Sequence, residues 1–333
     1  VAIGVLLDER FGPEVTDRLL EPLLGGVYAG QSRRLSFRAV NAALFATARD
    51  GGSLSGHAAR LRRPGDGPVF GGLDGGIVTL VETLVRSLAV RGVPLRTSTT
   101  VREVASTADG YRLTVGSARD PQVIEASAVV LASPAAATGR LLTGLVASAP
   151  QLAAIPYASM AVVALAVRGV EPVGSGLLVP PGQLATVKAV THSSTKWEWL
   201  RERVTGAWDA DVHAVRASVG RLGEEQLLQV GDSELVDRTV AELRGLPGWS
   251  GADVVASTVQ RWGGGLPQYE VGHTDLVGRL RTELAGHRGL AVCGAAYDGV
   301  GIAACLGSAD AAVNKITRDL GAGDDPAMVG VGA

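Results

Sequence analysis

The stretch Leu290 to Leu320, LAVCGAAYDGVGIAACLGSADAAVNKITRDL, joins three features that chemistry could use. Leu290-Ala291-Val292-Cys293 reads as a buried strand. Gly294 to Gly301 is a turn of mostly small residues. Ile302, Leu306, Ala309, Val313, Ile316 and Leu320 then recur at helical spacing. Small residues let a backbone approach a ligand or a neighbouring strand closely. The start of a helix adds free N–H groups and a positive dipole end, which suits a phosphate. The stretch reads as a cofactor platform, with an ordinary tight helix–sheet contact as the alternative. Gly299-Val300-Gly301-Ile302-Ala303-Ala304 matches G-x-G-x-x-A. The adenine-binding fingerprint needs more, namely a further strand after the helix and an acid about 20 residues on. Here the chain runs out in GAGDDPAMVGVGA.

A second group of candidates is Val187-Lys188-Ala189-Val190-Thr191-His192-Ser193-Ser194-Thr195-Lys196-Trp197. It sets two lysines, several hydroxyls and a Trp at the end of a strand pattern. The lysines could pair carboxylates and the Trp could face a flat ring. The alternative is an edge strand guarded by charge. Arg60, Arg62 and Arg63 sit in a Gly/Ser/Arg/Pro-rich stretch and could meet an anionic substrate, although most such arginines are merely solvated. There is no nucleophile elbow, Walker A or HExxH pattern. Five histidines, His57, His192, His213, His273 and His287, are scattered without metal spacing, so no metal is expected. No catalytic side chain is assigned, and a bound cofactor is the natural carrier of the chemistry.

The elements that must position these groups follow from pattern and composition. A chain of 333 residues, 46% of them hydrophobic, is long enough for two domains with a sizeable core. With 31 basic and 33 acidic residues the net charge is −2, and only 4% are aromatic, so nucleic acid is not an expected partner. No apolar run reaches the roughly 18 residues of a membrane span, and no signal peptide is visible, so the cytoplasm is expected. Cys293 and Cys305, in apolar settings with no C-x-x-C, read as buried thiols of a reducing compartment.

Residues 1–50 read as helical: Val15, Leu19, Leu20 and Leu23 share a face, Pro13 suits a first helical position, and Ser36 can cap a second helix. Residues 49–69 read as a mobile loop. After Phe70-Gly71-Gly72-Leu73 comes a helix with Ile77, Leu80, Val81, Leu84 and Leu88 on one side and Gly92 as its stop. Val93 to Val104 reads as a strand, Tyr111 to Val115 and Val123 to Ala126 as a hairpin, and Ala128 to Ala132 as a further strand. Between 150 and 260, Ala161 to Val167, Gly176 to Val179, Leu184 to Thr191, Val212 to Val219 and Val254 to Arg261 read as strands of a largely antiparallel sheet.

Arg10-Phe11-Gly12, Glu21-Pro22-Leu23-Leu24-Gly25-Gly26-Val27-Tyr28-Ala29-Gly30, Phe70-Gly71-Gly72-Leu73, Thr191 to Trp197, Pro267-Gln268-Tyr269-Glu270-Val271-Gly272-His273 and Gly294 to Ala304 together resemble the flavin-dependent porphyrinogen oxidases of haem biosynthesis. The likeness extends from the start to about residue 320. EPLLGGVYAG and PQYEVGH are its more specific parts. The terminal strand–turn–helix is shared with the wider amine-oxidase and phytoene-desaturase superfamily. Members of the family begin with a G-x-G-x-x-G dinucleotide fold that this sequence lacks. The resemblance therefore implies a member without its N-terminal part, which would hold the adenosine side of FAD.

The implied fold class is α/β (α+β): an incomplete FAD/NAD(P)-binding domain of amine-oxidase type, interleaved with an antiparallel-sheet substrate domain and a helical segment. The expected boundaries are 1–65 for the helical part of the substrate domain, 66–135 and 261–320 for the FAD domain, 136–260 for the antiparallel sheet, and 321–333 for a flexible tail. The implied reaction is oxygen-dependent oxidation of coproporphyrinogen III to coproporphyrin III. Protoporphyrinogen IX oxidation, another flavoenzyme activity of the superfamily, and a catalytically silent tetrapyrrole-binding fragment are the alternatives. By family position Val101 would lie near the FAD adenine, and Gly294, Gly301, Ile302 and Ala303 along the pyrophosphate, ribityl chain and flavin, with Trp262 also on the cofactor side. Phe70, Gly71 and Leu73 would face the substrate, and Lys188 and Lys196 would meet its propionates. Expected partners are the tetrapyrrole, molecular oxygen and, transiently, other haem-pathway enzymes.

Overall fold

The structure is a computed structural model that describes residues 1–61 and 71–321. Phe70, Arg62 and Arg63 of the candidate residues lie outside the described residues, as does the expected tail beyond Gly321. Ten strands run in chain order: β1 Val101–Ser106, β2 Tyr111–Gly116, β3 Pro121–Ala126, β4 Val129–Leu131, β5 Tyr157–Arg168, β6 Gly176–Leu178, β7 Val187–His192, β8 His213–Val219, β9 Asp253–Pro267 and β10 Leu290–Val292. The chain divides into two units, each assembled from two separate stretches: Val1–Leu95 with Tyr157–Gln268, and Arg96–Pro156 with Tyr269–Ala333. No described helix is long and apolar enough to cross a membrane.

In the first unit five antiparallel strands stand in the order β6-β7-β8-β5-β9. Ala161, Val163, Leu165 and Val167 alternate along β5, and so fall on one face of the pleat. They join Val190, Val215, Ala217 and Val219 in a core closed by Leu235, Val240 and Leu243 of the helix Asp232–Arg244. Ala166, on the opposite face, packs with Val204 of the helix Glu198–Ala207 and with Val212. The segment EPLLGGVYAG and the first two residues of PQYEVGH, Pro267 and Gln268, belong to this unit. Gln268 is buried, and its Nε2 donates to the Tyr28 carbonyl at 2.7 Å. A Cβ on Gly30 would stand 2.1 Å from Gln268 Oε1, so this contact needs a glycine. Glu21 is also buried, accepting from the backbone N–H and hydroxyl of Ser32 at 2.9 and 2.7 Å.

Three differences from the sequence expectation appear in this unit. The Gly/Ser-rich stretch read as loop carries a helix, Leu54–Leu61, started by Ser53, whose hydroxyl accepts from Gly56 N–H at 3.0 Å. The helix Val78–Val90 has its expected stop at Gly92, with φ of +68°, but buries none of its residues within the chain. β9 runs on through Gly263–Gly265, where bulges and an exposed edge tolerate glycine.

The second unit holds the antiparallel β1-β2-β3 sheet and a parallel pair, β10 with β4, in which Leu290 faces Val129 and Val292 faces Leu131. Residues 93–100, read as strand, are irregular, and β1 starts only at Val101. The last helix, Ile302–Leu320, packs Ala309, Ala312 and Ile316 onto Ala291 and Cys293. Ile302, Leu306 and Val313 are about half exposed. The single stripe suggested by spacing is thus two stripes, one inward and one outward. Cys293 is buried and Cys305 half-buried, both as free thiols.

Candidate functional site

The turn between β10 and the last helix is built for close approach. Gly294 and Gly299 have φ of +115° and +139°, values that side chains disfavour. Gly301 is different. Its φ of −76° and ψ of 154° suit any residue, and a Cβ there would meet nothing within 4 Å. The fold itself does not require glycine at that position; the open space in front of it does, if a ligand fills it. Gly301 is the N-cap of a 19-residue helix whose start no side chain caps. The first-turn N–H groups, among them those of Ile302 and Ala303, have no partner within the helix. Open space, orphan donors and the dipole fit the anionic part of a dinucleotide.

Two side-chain ties hold the turn in shape. Tyr269 Oη donates to the Ala295 carbonyl at 2.5 Å and accepts from Gly299 N–H at 2.8 Å. Gly294 N–H donates to Ser308 Oγ at 3.1 Å, and Ser308 in turn donates to Asp298 at 2.8 Å. Arg281 completes this second tie by donating to both oxygens of Asp298 at 2.5 Å. The His273 ring stacks on Tyr269 at 4.0 Å and 11°. Burial lowers the pKa of His273 from 6.5 to about 4, against the opposing pull of the Asp298 carboxylate and the Tyr297 backbone, so its ring is neutral near pH 7. Spacing had not pointed to these ties. In sequence Tyr269 stands out only within the PQYEVGH segment and His273 only there and among the scattered histidines, and Asp298 is the lone acid in a turn of mostly small residues.

A cleft of about 630 Å³ opens between the helix His273–Ala285 and the last helix, beside Ala291, Gly307 and Ser308. Arg281 and Lys315 on its wall are already paired, Arg281 with Asp298 and Lys315 with Asp319. Val101, at the start of β1, lies in the same unit but in the other sheet, and is partly exposed. Among the described residues no group of three His, Cys, Asp or Glu side chains could hold a metal.

The remaining candidates lie in the first unit. Gly72 sits against the Trp197 ring so closely that a Cβ would reach it at 2.7 Å. Gly71, by contrast, faces open space, and Leu73 is 41% exposed. Lys196 Nζ stands 5.2 Å from the centre of the same Trp197 ring. The structure therefore brings Gly72 and Lys196 to one indole, with Gly71 and Leu73 adjacent to Gly72 in the chain. Lys196 belongs to a short helix, Ser193–Lys196, that follows β7 directly. Lys188 is placed elsewhere. It is 2% exposed on a strand flanked by β6 and β8, and its Nζ donates to the Gly220 carbonyl at 2.6 Å. Burial lowers its pKa to about 8, helped by Arg221 and opposed by Glu224. Its ammonium is engaged within the sheet rather than with the indole group. Trp262 is 54% exposed on β9, next to a kink where Gly264 N–H donates to Ser159 Oγ at 3.0 Å.

Comparison with known proteins fits this geometry. Residues 4–317 match the family model of flavin containing amine oxidoreductases. The coproporphyrinogen III oxidase of Mycobacterium tuberculosis is 37% identical over 330 residues, covering 96% of this chain and 67% of the relative. Human protoporphyrinogen oxidase is 31% identical over 326 residues, covering 90% and 65%. A crystal structure from Exiguobacterium sp. 255-15, provisionally named protoporphyrinogen oxidase, superposes with a TM-score of 0.77 at 27% identity, covering 96% of this chain and 67% of that one. The cyclohexylamine oxidase of Brevibacterium oxydans, at 14% identity and a TM-score of 0.65, shares the fold.

Proposed function

This chain belongs to the flavin-containing amine oxidoreductases, an FAD-dependent family, and we propose that its reaction is the oxidation of coproporphyrinogen III to coproporphyrin III. The observation that carries the reading is the 37% identity, over 96% of the chain, to mycobacterial relatives named for that reaction, against 31% to the primate relatives named for protoporphyrinogen. A tetrapyrrole substrate, molecular oxygen as the final acceptor and the cytoplasm as the place of work are parts of the same proposal. When bound, FAD supplies the hydride acceptor.

The protein's own groups have binding and orienting roles. Gly294, Gly301, Ile302 and Ala303 offer backbone and open space to the cofactor, with the helix start compensating phosphate charge. Trp197, with Gly72 against its ring, offers a flat apolar surface to a tetrapyrrole, Lys196 beside the indole offers a cation to a propionate, and Gly71 and Leu73 are carried as ring contacts on family position. An exposed lysine–carboxylate pair contributes only about 0–1 kcal/mol, so this surface selects by shape more than by charge. Val101 and Trp262 are carried as cofactor contacts on family position alone.

The test is a substrate panel on the flavin-loaded protein, with product porphyrin read by fluorescence. We expect kcat/KM for coproporphyrinogen III at least tenfold above that for protoporphyrinogen IX, and no turnover of simple amines. A preference for protoporphyrinogen IX, oxidation of an amine alone, or binding of porphyrin without turnover of any substrate would each overturn the reading.

A further inference from the structure

The Gly294–Gly301 turn contains two glycines at positive φ and, beyond one backbone bond from Tyr297 N–H to the Gly294 carbonyl, no regular hydrogen-bond ladder, so its own backbone only partly determines its shape. Something outside it must do the rest. Ser308 holds the first shoulder through Gly294 N–H. Ser308 and Arg281 hold the Asp298 side chain, while the backbone polar groups of Ala295 and Gly299 are tied together by one atom, the hydroxyl oxygen of Tyr269. It donates to the Ala295 carbonyl and accepts from Gly299 N–H, and so bridges two residues of the turn that stand four positions apart. The side chain is well fixed for the purpose. Tyr269 is 2% exposed and His273, at 6%, lies flat against its ring. Gly299 N–H and Ala295 C=O are both engaged by Tyr269, while the space in front of Gly301, where a Cβ would meet nothing within 4 Å, stays open.

We infer that Tyr269 is a positioning residue for the cofactor: its hydroxyl sets the curvature of the turn on which the flavin nucleotide rests. The inference depends on the flavin reading, not on the identity of the substrate. It separates Tyr269 from the other aromatic of the turn, Tyr297, whose backbone lies inside the segment being positioned.

The experiment combines amide hydrogen exchange with FAD titration, on the full chain and its Tyr269→Phe variant. Phenylalanine keeps the stacked ring and removes only the bridging oxygen. Exchange across residues 295–301 should become about tenfold faster in the variant, while β10 and β4 keep their protection. The Kd for FAD should rise by about the same factor. His273→Phe, which keeps the hydroxyl and a stacking partner, should leave both nearly unchanged. Unaltered exchange in Tyr269→Phe overturns the inference. So does faster exchange with unaltered FAD affinity, since the tie would then serve the fold alone. Should the variant fail to fold, the wild-type chain still decides the matter: Gly299 N–H must be protected, and exchange at the rate of an open loop overturns the inference. Absence of FAD uptake by wild type and variant alike, with the exchange difference present, would defeat the cofactor reading itself.

Discussion

Gly30→Ala should be among the more damaging single-methyl additions in the first unit. The new Cβ would lie 2.1 Å from Gln268 Oε1 and 3.3 Å from a Leu35 methyl. Ordinary contact begins near 3.4 Å, so the amide oxygen must retreat by more than 1 Å. It is not free to do so. Gln268 is 1% exposed, and its Nε2 is bound to the Tyr28 carbonyl at 2.7 Å and the Leu266 carbonyl at 3.0 Å. Overpacking costs about 1–3 kcal/mol and an unmade buried hydrogen bond about the same, so a loss of roughly 2–4 kcal/mol is expected. Gln268→Ala should cost about 2–3 kcal/mol through two orphaned carbonyls. In the double variant the methyl enters the vacated space, and the total should not exceed that of Gln268→Ala by more than about 0.5 kcal/mol. Trp197, Trp199, Trp208, Trp249 and Trp262, all five of the chain's tryptophans, lie in the first unit, so denaturant unfolding read by Trp fluorescence reports on this unit alone. Additive losses in the double variant would refute the steric argument, because Gly30 would then be needed for a reason unrelated to Gln268.

The neutral, buried His273 makes stability depend on acid. Its folded-state pKa of about 4 lies below its ordinary 6.5, so the unfolded chain binds the proton more readily in that window. The stability of wild type relative to His273→Phe should be constant above about pH 6.5 and fall by up to about 3 kcal/mol on acidification to pH 4, as followed by circular dichroism. A flat difference across that range contradicts the burial argument. Gly301→Leu should fold normally, since the backbone there is ordinary and the space is empty, yet lose bound flavin. An unchanged flavin absorption band in that variant would remove Gly301 from the cofactor site.

Local signals were read best where one residue type has one strong reason to be present. Pro13 does start a helix, Ser36 does cap one by accepting from Ala39 N–H, and Gly92 does end one. β8 and β10 were legible because short apolar runs bounded by turns admit few readings. Three things escaped. The helices Ser193–Lys196 and Glu198–Ala207 carry Trp, Ser and Thr rather than a clean apolar stripe, so no helix is read after the strand that ends at Thr191. Lys188 is expected from type and family likeness to meet a propionate; only tertiary packing shows its ammonium bonded to the Gly220 carbonyl. The ties at the cofactor turn join Tyr269 to residues about 30 positions later, and no spacing rule reaches across that distance. The family-specific segments EPLLGGVYAG and PQYEVGH were recognised separately. That Gly30 and Gln268 belong to one contact is visible only in three dimensions.

The pairing of β4 with β10 has a consequence for how the chain is made. Val129 must find Leu290, about 160 residues later, with nothing parallel to pair with in between among the described strands. At the usual 5–20 residues per second, a ribosome needs roughly 8–30 s to deliver the partner. Through that interval the apolar edge Val129–Leu131 stands unsatisfied on the nascent chain, while β5 to β9, whose partners arrive sooner, can already close. Slower translation ahead of Leu290 would lengthen the exposure, and holding chaperones would shorten its harm. Yield in a heterologous host should therefore respond to growth temperature and codon choice between residues 131 and 290 more than to either outside that interval.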